Sequence, residues 1–269
     1  MRGTRALATL DEIDVGDHAC WVIDGVRRLS TGAAPYVADG ALFGDRVVLV
    51  GSADPVAEVR RLGSFPASAV VIDPFETAGS VVAAVDRELR RARREGFRSV
   101  RVLACRESGD CGTPAGMAAL LDSELGLDEI AAAGGATVVC AYLPGSWDAP
   151  QLEQVMCVHP QTLGSRPSLP AFHMFRSGSE GWKVRGVIDS DGAHAFGSVL
   201  RAATLNARAV RLCFEDVELI DAAGMRALVD AALHLPDRSV TVEGANRIVR
   251  RSWQLSGYAV PEIPVEVLG

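Results

Sequence analysis

The chain is almost without lysine: of its 27 basic residues only Lys183 is lysine, and the rest are arginine. Against them stand 34 acidic residues, so the formal net charge is −7, and no basic footprint for nucleic acid is present. Long apolar runs are also missing. Nothing approaches the roughly 18 residues of a membrane span. The opening MRGTRALATLDEIDVGDHAC carries acids early and has no apolar segment of signal-peptide length. A cytosolic protein with no membrane partner is expected. The six cysteines lack paired spacing, which removes a disulfide framework and leaves them reduced in that compartment. Cys105 and Cys111, in CRESGDC, are separated without any distinctive redox chemistry. The bias to Arg, Ala, Gly and Val suggests a GC-rich bacterial genome.

What is present is ample apolar material, 48% of 269 residues, enough for two domains of ordinary size. Residues 1–165 alternate Val-rich runs (18–23, 46–51, 69–73, 99–105 and 136–142) with helical patterns. Continuous apolar runs of that length fit parallel strands covered on both faces. SVVAAVDRELRRARREG has an apolar stripe at Val82, Val85 and Leu89, an Asp86–Arg90 pair and Gly96 as a stop. TPAGMAALLDSELG starts with Thr113 as N-cap and Pro114 in the first turn, and DAPQLEQVMCVH starts with Asp148 and Pro150. The fold class is therefore α/β, with a mostly parallel sheet flanked by helices. QTLGSRPSLPA, residues 161–171, reads as a linker.

From 166 to 269 the pattern changes to a small mixed sheet with packed helices. Two strands flank the turn SGSEG, and a helix follows near 193–206. Then come a strand at 209–214, an acidic loop ending in Asp221, an amphipathic helix at 222–234, a strand at 239–244 and a helix stopped by Gly257. WKVRGVID, VRLCFEDVELIDAAGMRALVDAA and VTVEGANRIVRRSWQLSGY, in that order, resemble the opening strand, switch loop and closing elements of STAS domains of the anti-sigma-factor antagonist type. The resemblance implies a STAS fold and a contact surface of Asp189, Asp221, Ala222, Ala223, Gly224 and Met225. It also implies as partner an anti-sigma factor of the serine-kinase type or another STAS protein, with a homodimer left open. In that family the residue after the loop aspartate is a phosphorylated Ser or Thr. Here it is Ala222, without a hydroxyl, so the resemblance carries over a binding surface and not a phospho-switch.

The N-terminal part also has a likeness. GDHACWVIDG, RVVLVGSAD, VVCAY and the His159–Pro160 pair resemble MEDS domains, sensory domains with a RecA-like fold. Leu143 and Pro144 stand where an acidic residue is usual. After RVVLVG the residues GSADPVAEV contain no lysine and no second glycine, so there is no phosphate loop and no nucleotide is expected. The crevice at the strand C-termini is the expected ligand position. His18, Cys20, Cys140, Tyr142 and His159 fall near the ends of separate elements and are the candidate ligand-binding residues. Thiol and imidazole donors suit zinc, copper or haem iron, but no spacing here assigns a metal. An organic-ligand pocket is also compatible with the pattern, and so is plain core packing, the usual place of buried cysteines. No catalytic constellation is assignable, so a non-enzymatic regulator is expected, with a cofactor unknown. The alternatives are a non-sensing scaffold or constitutive antagonist, and a ligand, redox or metal sensor whose STAS domain serves self-association.

Overall fold

The computed structural model describes residues 3–23, 26–61, 66–77, 80–143, 147–164, 169–177, 181–205, 207, 209–234 and 239–269. The chain opens with β1 (Arg5–Leu7), β2 (His18–Val22), α1 (Val26–Leu42), β3 (Arg46–Val50), α2 (Ala53–Arg61) and β4 (Val70–Ile72). It continues with α3 (Val81–Arg94), β5 (Val100–Arg106), α4 (Pro114–Ala132), β6 (Ala136–Tyr142), α5 (Ala149–Cys157) and β7 (Gln161–Leu163). The remaining elements are β8 (Phe172–Arg176), β9 (Trp182–Ile188), α6 (Ala193–Thr204), β10 (Ala209–Ile220), α7 (Ala222–Leu233), β11 (Ser239–Glu243), α8 (Arg247–Leu255) and β12 (Val265–Val267).

The first seven strands form one sheet in the order β1-β7-β2-β6-β5-β3-β4, and every pairing in it is parallel. The connections through α1 and α2 run one way along the sheet, and those through α3, α4 and α5 run back. Right-handed crossovers therefore place the two groups on opposite faces. The side-chain alternation of β6 follows: Val138, Cys140 and Tyr142 join the core under α3 to α5, while Val139 and Ala141 join the core under α1 and α2. Two helix starts are fixed as their sequences predict. Thr113 Oγ1 accepts from the Gly116 amide at 3.1 Å, and Asp148 and Gln151 form a reciprocal capping box.

The second sheet has the order β12-β11-β10-β9-β8. Only β8 and β9 are antiparallel; the rest of the ladder is parallel. Gly186, in β9, has φ +97°, and a Cβ there would lie 2.3 Å from the Ala171 carbonyl oxygen, so only glycine fits. β8 and α6 pack on α4 and α5 of the first sheet. The Arg176 guanidinium, at the end of β8, lies 4.3 Å from the Trp182 ring centre and its Nε donates to Glu129 of α4 at 2.7 Å.

Two expectations need correction. Residues 161–163 of the predicted linker form β7, which pairs with both β1 and β2; residues 165–168 lie outside the described part, as do 178–180 of the predicted turn. The predicted acidic loop before Asp221 is strand, because β10 runs to Ile220. A register shift against β9 between Val217 and Leu219 breaks the alternation, so Val217 and Ile220 are buried while Glu218 and Leu219 are exposed. α1 and α2 were not anticipated: α1 carries Pro35 inside it, and α2 lies where a phosphate loop was sought.

Asp45 ties the β3 and β5 ends together. Its carboxylate accepts from Ser99 Oγ at 2.7 Å, Arg101 Nε at 2.7 Å and Arg98 Nε at 3.2 Å. Burial opposes its ionisation, but these donors outweigh it and hold its pKa below the ordinary value of 3.8. A carboxyl with a depressed native pKa contributes stability in full above its unfolded pKa and loses it as pH falls through the native one. Asp45→Asn should lower the unfolding free energy by about 1–3 kcal/mol at neutral pH. The difference from wild type should narrow below about pH 4. Urea melts at both pH values check this.

Candidate functional site

Between the first sheet and α4 lies a group of buried polar side chains. α4 supplies the acids. Leu121, Glu124, Leu125 and Asp128 follow the i, i+3, i+4, i+7 rule of one helix face, so two carboxylates share a face with two leucines. All four are buried. β2 supplies His18, β5 supplies Arg106 at its end, β6 supplies Cys140, and the turn after α5 supplies His159.

Glu124 is the hub. Its Oε1 lies 2.7 Å from Arg106 Nε. Its Oε2 is 3.3 Å from His18 Nε2, 3.3 Å from His159 Nε2 and 2.9 Å from Cys140 Sγ. Cys140 Sγ is 3.4 Å from His18 Nε2, and the two imidazole rings lie 4.0 Å apart. The other nitrogens are oriented from outside. His18 Nδ1 stands 3.5 Å from Asp128 Oδ1, and His159 Nδ1 donates to the Val155 carbonyl at 2.6 Å.

Charge follows from these contacts. Burial disfavours ionised Glu124, but Arg106 and the two imidazoles outweigh it and hold its carboxyl well below the usual range. Burial also disfavours a charged His18, yet Asp128 and Glu124 on either side raise its pKa. Burial, and then His18, lower that of His159. Burial and the adjacent Glu124 push the Cys140 thiol up.

Of the candidates read from sequence, His18, Cys140 and His159 converge on this cluster. Tyr142 borders it, with its ring edge-on to His159 at 6.0 Å between centres and its buried hydroxyl without a hydrogen-bond partner. Cys20 lies opposite Cys140 in the β2–β6 register and packs in the apolar core. The cluster sits on the sheet face beneath α4, not in the expected crevice beyond the strand ends. Glu124, Asp128 and Arg106 were not anticipated. A readable signal existed for the first two, in carboxylates at leucine spacing on an otherwise apolar helix face.

Two side chains tie the cluster to the C-terminal sheet. Asp128, beside His18, accepts from the Arg176 backbone amide of β8 at 2.5 Å. His173, also on β8, donates from Nδ1 to the His159 carbonyl at 3.0 Å. Burial drives the pKa of His173 down to about 4, so it is neutral at physiological pH and keeps one ring N–H for this bond.

The second candidate site is the start of α7. Asp221 caps the helix, accepting from the Gly224 amide at 2.9 Å, and its own amide donates to the Ile188 carbonyl at 3.0 Å. Ala222 is exposed, and Asp221 and Ala223 are half-buried. Gly224 and Met225 are buried; a Cβ on Gly224 would lie 2.8 Å from the Ile188 carbonyl oxygen. These two therefore position the helix and present no surface to a partner, which corrects the expected contact set. Arg226 is exposed on the same turn. Asp189 Oδ1 accepts from the amides of Asp191 and Gly192, shaping the neighbouring turn.

Two family models match the chain. One, described as the MEDS domain (methanogen/methylotroph, DcmR sensory domain), covers residues 17–160. The other, described as "Mlab, STAS domain", covers residues 178–263. A comparison with curated proteins finds no match. Among the described residues no helix is long and apolar enough to cross a membrane.

Removing one partner of a buried ion pair leaves an uncompensated charge. Arg106→Met should destabilise the protein by about 3–5 kcal/mol. The double variant Arg106→Met/Glu124→Leu should lose less than the sum of the two single variants. Equilibrium urea denaturation of the three variants measures the coupling.

Proposed function

The chain belongs to the MEDS family and carries a STAS domain behind its sensory domain, and from this we propose that it is a signal-transduction regulator of the anti-sigma-factor antagonist type. Its STAS domain binds a partner through the exposed start of α7 and the adjoining turns. The N-terminal domain controls that binding. The partner is an anti-sigma factor of the serine-kinase type, and the protein acts by association and not by catalysis.

The observation that carries this reading is the pair of hydrogen bonds joining the buried cluster to β8. Whatever occupies or alters His18, Glu124, Cys140 and His159 acts on groups one bond from the first strand of the second sheet, through Asp128 to Arg176 and through His159 to His173. β8 pairs with β9, and β9 ends at Ile188, whose carbonyl receives the Asp221 amide. A continuous chain of bonded elements thus runs from the sensory core to the N-cap of α7. A signal uses it only by binding two arrangements of the molecule with different affinity.

Ala222 fits this division of labour. A serine at the first position of α7 would place a phosphate on an exposed helix N-terminus, where the fold tolerates an anion but a contact surface does not. Alanine removes that route and leaves regulation to the N-terminal domain.

The test is capture of serine-kinase anti-sigma factors on immobilised full-length protein. Wild type should bind one of them. Ala222→Asp should lower the affinity at least tenfold without lowering the melting temperature, because an acid in the first turn suits the helix dipole. Equal capture by the two proteins, or none by either, would remove the α7 surface from the reading. Capture indifferent to the state of the N-terminal domain would make the protein a constitutive antagonist.

A further inference from the structure

We propose that His18, Glu124, Cys140 and His159 bind one divalent transition-metal ion of the zinc class. The four donor atoms lie within 4.8 Å of one another and all four residues are buried. A tetrahedral ion with bonds of about 2.0 Å to nitrogen and oxygen has ligand–ligand edges of about 3.3 Å. The distances from Glu124 Oε2 to both imidazole Nε2 atoms are 3.3 Å. The edge from Glu124 Oε2 to sulfur, 2.9 Å, is shorter than the roughly 3.5 Å that a longer metal–thiolate bond requires, so a bound ion would open it.

Lone pairs make the same case. A backbone carbonyl only accepts, so His159 Nδ1 carries the proton it gives to Val155. In the neutral ring Nε2 is then a bare acceptor, and it faces a carboxylate oxygen, another acceptor. Nε2 has no hydrogen-bond partner. Two acceptors aimed at each other in a dry core repel unless a proton or a metal ion lies between them. His18 shows the complementary arrangement, with Nδ1 toward Asp128 and Nε2 toward the centre. A carboxylate behind an imidazole is the usual outer support of a metal-bound histidine.

Charge balance accommodates a divalent ion. Binding releases the Cys140 thiol proton, together with any proton held on an imidazole Nε2, and leaves a thiolate. With neutral imidazoles, the two carboxylates and the thiolate then carry three negative charges, and Arg106 and a divalent ion supply three positive ones. One sulfur, two nitrogens and one oxygen suit zinc better than magnesium or calcium. Four protein ligands leave no open position, so the ion would be structural or sensory, as opposed to catalytic. A role as the regulatory input rests on the function proposed above; the site itself does not.

The experiment uses full-length protein freed of metal by chelation and titrated with Co2+ as a spectroscopic stand-in. One equivalent should bind, giving tetrahedral ligand-field bands and a thiolate-to-cobalt charge-transfer band, and one equivalent of Zn2+ should displace it. Cys140→Ser should lose the charge-transfer band, whereas Cys20→Ser, one strand away, should keep it. Asp128→Asn should bind Co2+ about 10–100-fold more weakly. If Cys140→Ser fails to fold, the wild-type band and the Asp128→Asn affinity decide. Folded wild-type protein that takes up neither ion, or a charge-transfer band that survives in folded Cys140→Ser, overturns the site. Repeating the anti-sigma capture with apo and zinc-loaded protein separates the two ideas. Metal uptake with unchanged capture keeps the site and removes it as the input, while capture without uptake keeps the partner and discards the metal.

Discussion

A carboxylate stripped of all solvent survives only where donors and cations replace its water, and in this protein that requirement organises the first domain. Glu124 sits at the centre of α4 against the middle of the sheet. To keep it ionised, the fold must bring Arg106 from the end of β5, His18 from the start of β2, Cys140 from β6 and His159 from the far end of α5. These elements are brought together by the parallel strand order, in which β6 lies between β2 and β5. An apolar residue at 124 would pack the core more simply and, on energetic grounds, at least as stably. A buried polar centre of this kind therefore points to function before stability.

The same centre explains how the two sheets meet. Asp128, one helical turn beyond Glu124, divides its oxygens between His18 and the backbone amide of Arg176. His159 divides its groups between the cluster and His173. The interface is thus pinned by the groups that line the buried site. A shift of a few tenths of an ångström at the cluster must either stretch these bonds or move β8, since close-packed interiors transmit displacement. Arg176 adds a second hold outside the core, through Glu129 and the face of Trp182.

Much of this architecture was legible in the sequence, because Val-rich runs and capping residues act locally. Thr113 and Asp148 each announce a helix and each caps one. β1, β7 and β12 were not legible. Each is three residues long, too short to carry a period, and each exists only because a neighbour offers a sheet edge. The extended β10 was misread because a register shift between Val217 and Leu219 breaks its alternation, leaving Glu218 and Leu219 exposed side by side as in an acidic loop. His18, Cys140 and His159 were marked by residue type alone, while their convergence is a property of strand order. Glu124 and Asp128 were passed over inside a helix whose other surroundings are apolar, although carboxylates at the spacing of core leucines are the pattern a buried site leaves in sequence. Met225 was placed on the contact surface because it follows the switch residues, whereas helical geometry turns it inward.

The energies available are adequate for control without phosphate. Driving a two-state equilibrium from 1:99 to 99:1 takes about 5.5 kcal/mol of differential binding. Zinc held by thiolate and imidazole ligands in small folded sites contributes about 10–16 kcal/mol at neutral pH. If only a third to a half of such a binding energy depended on where α4 and the turn at His159 stand, occupancy of the cluster would set the position of β8 almost completely. A phosphate at residue 222 would act on the contact surface itself. An ion at Glu124 would act on the frame that carries the proposed contact surface, a route that needs no hydroxyl at residue 222.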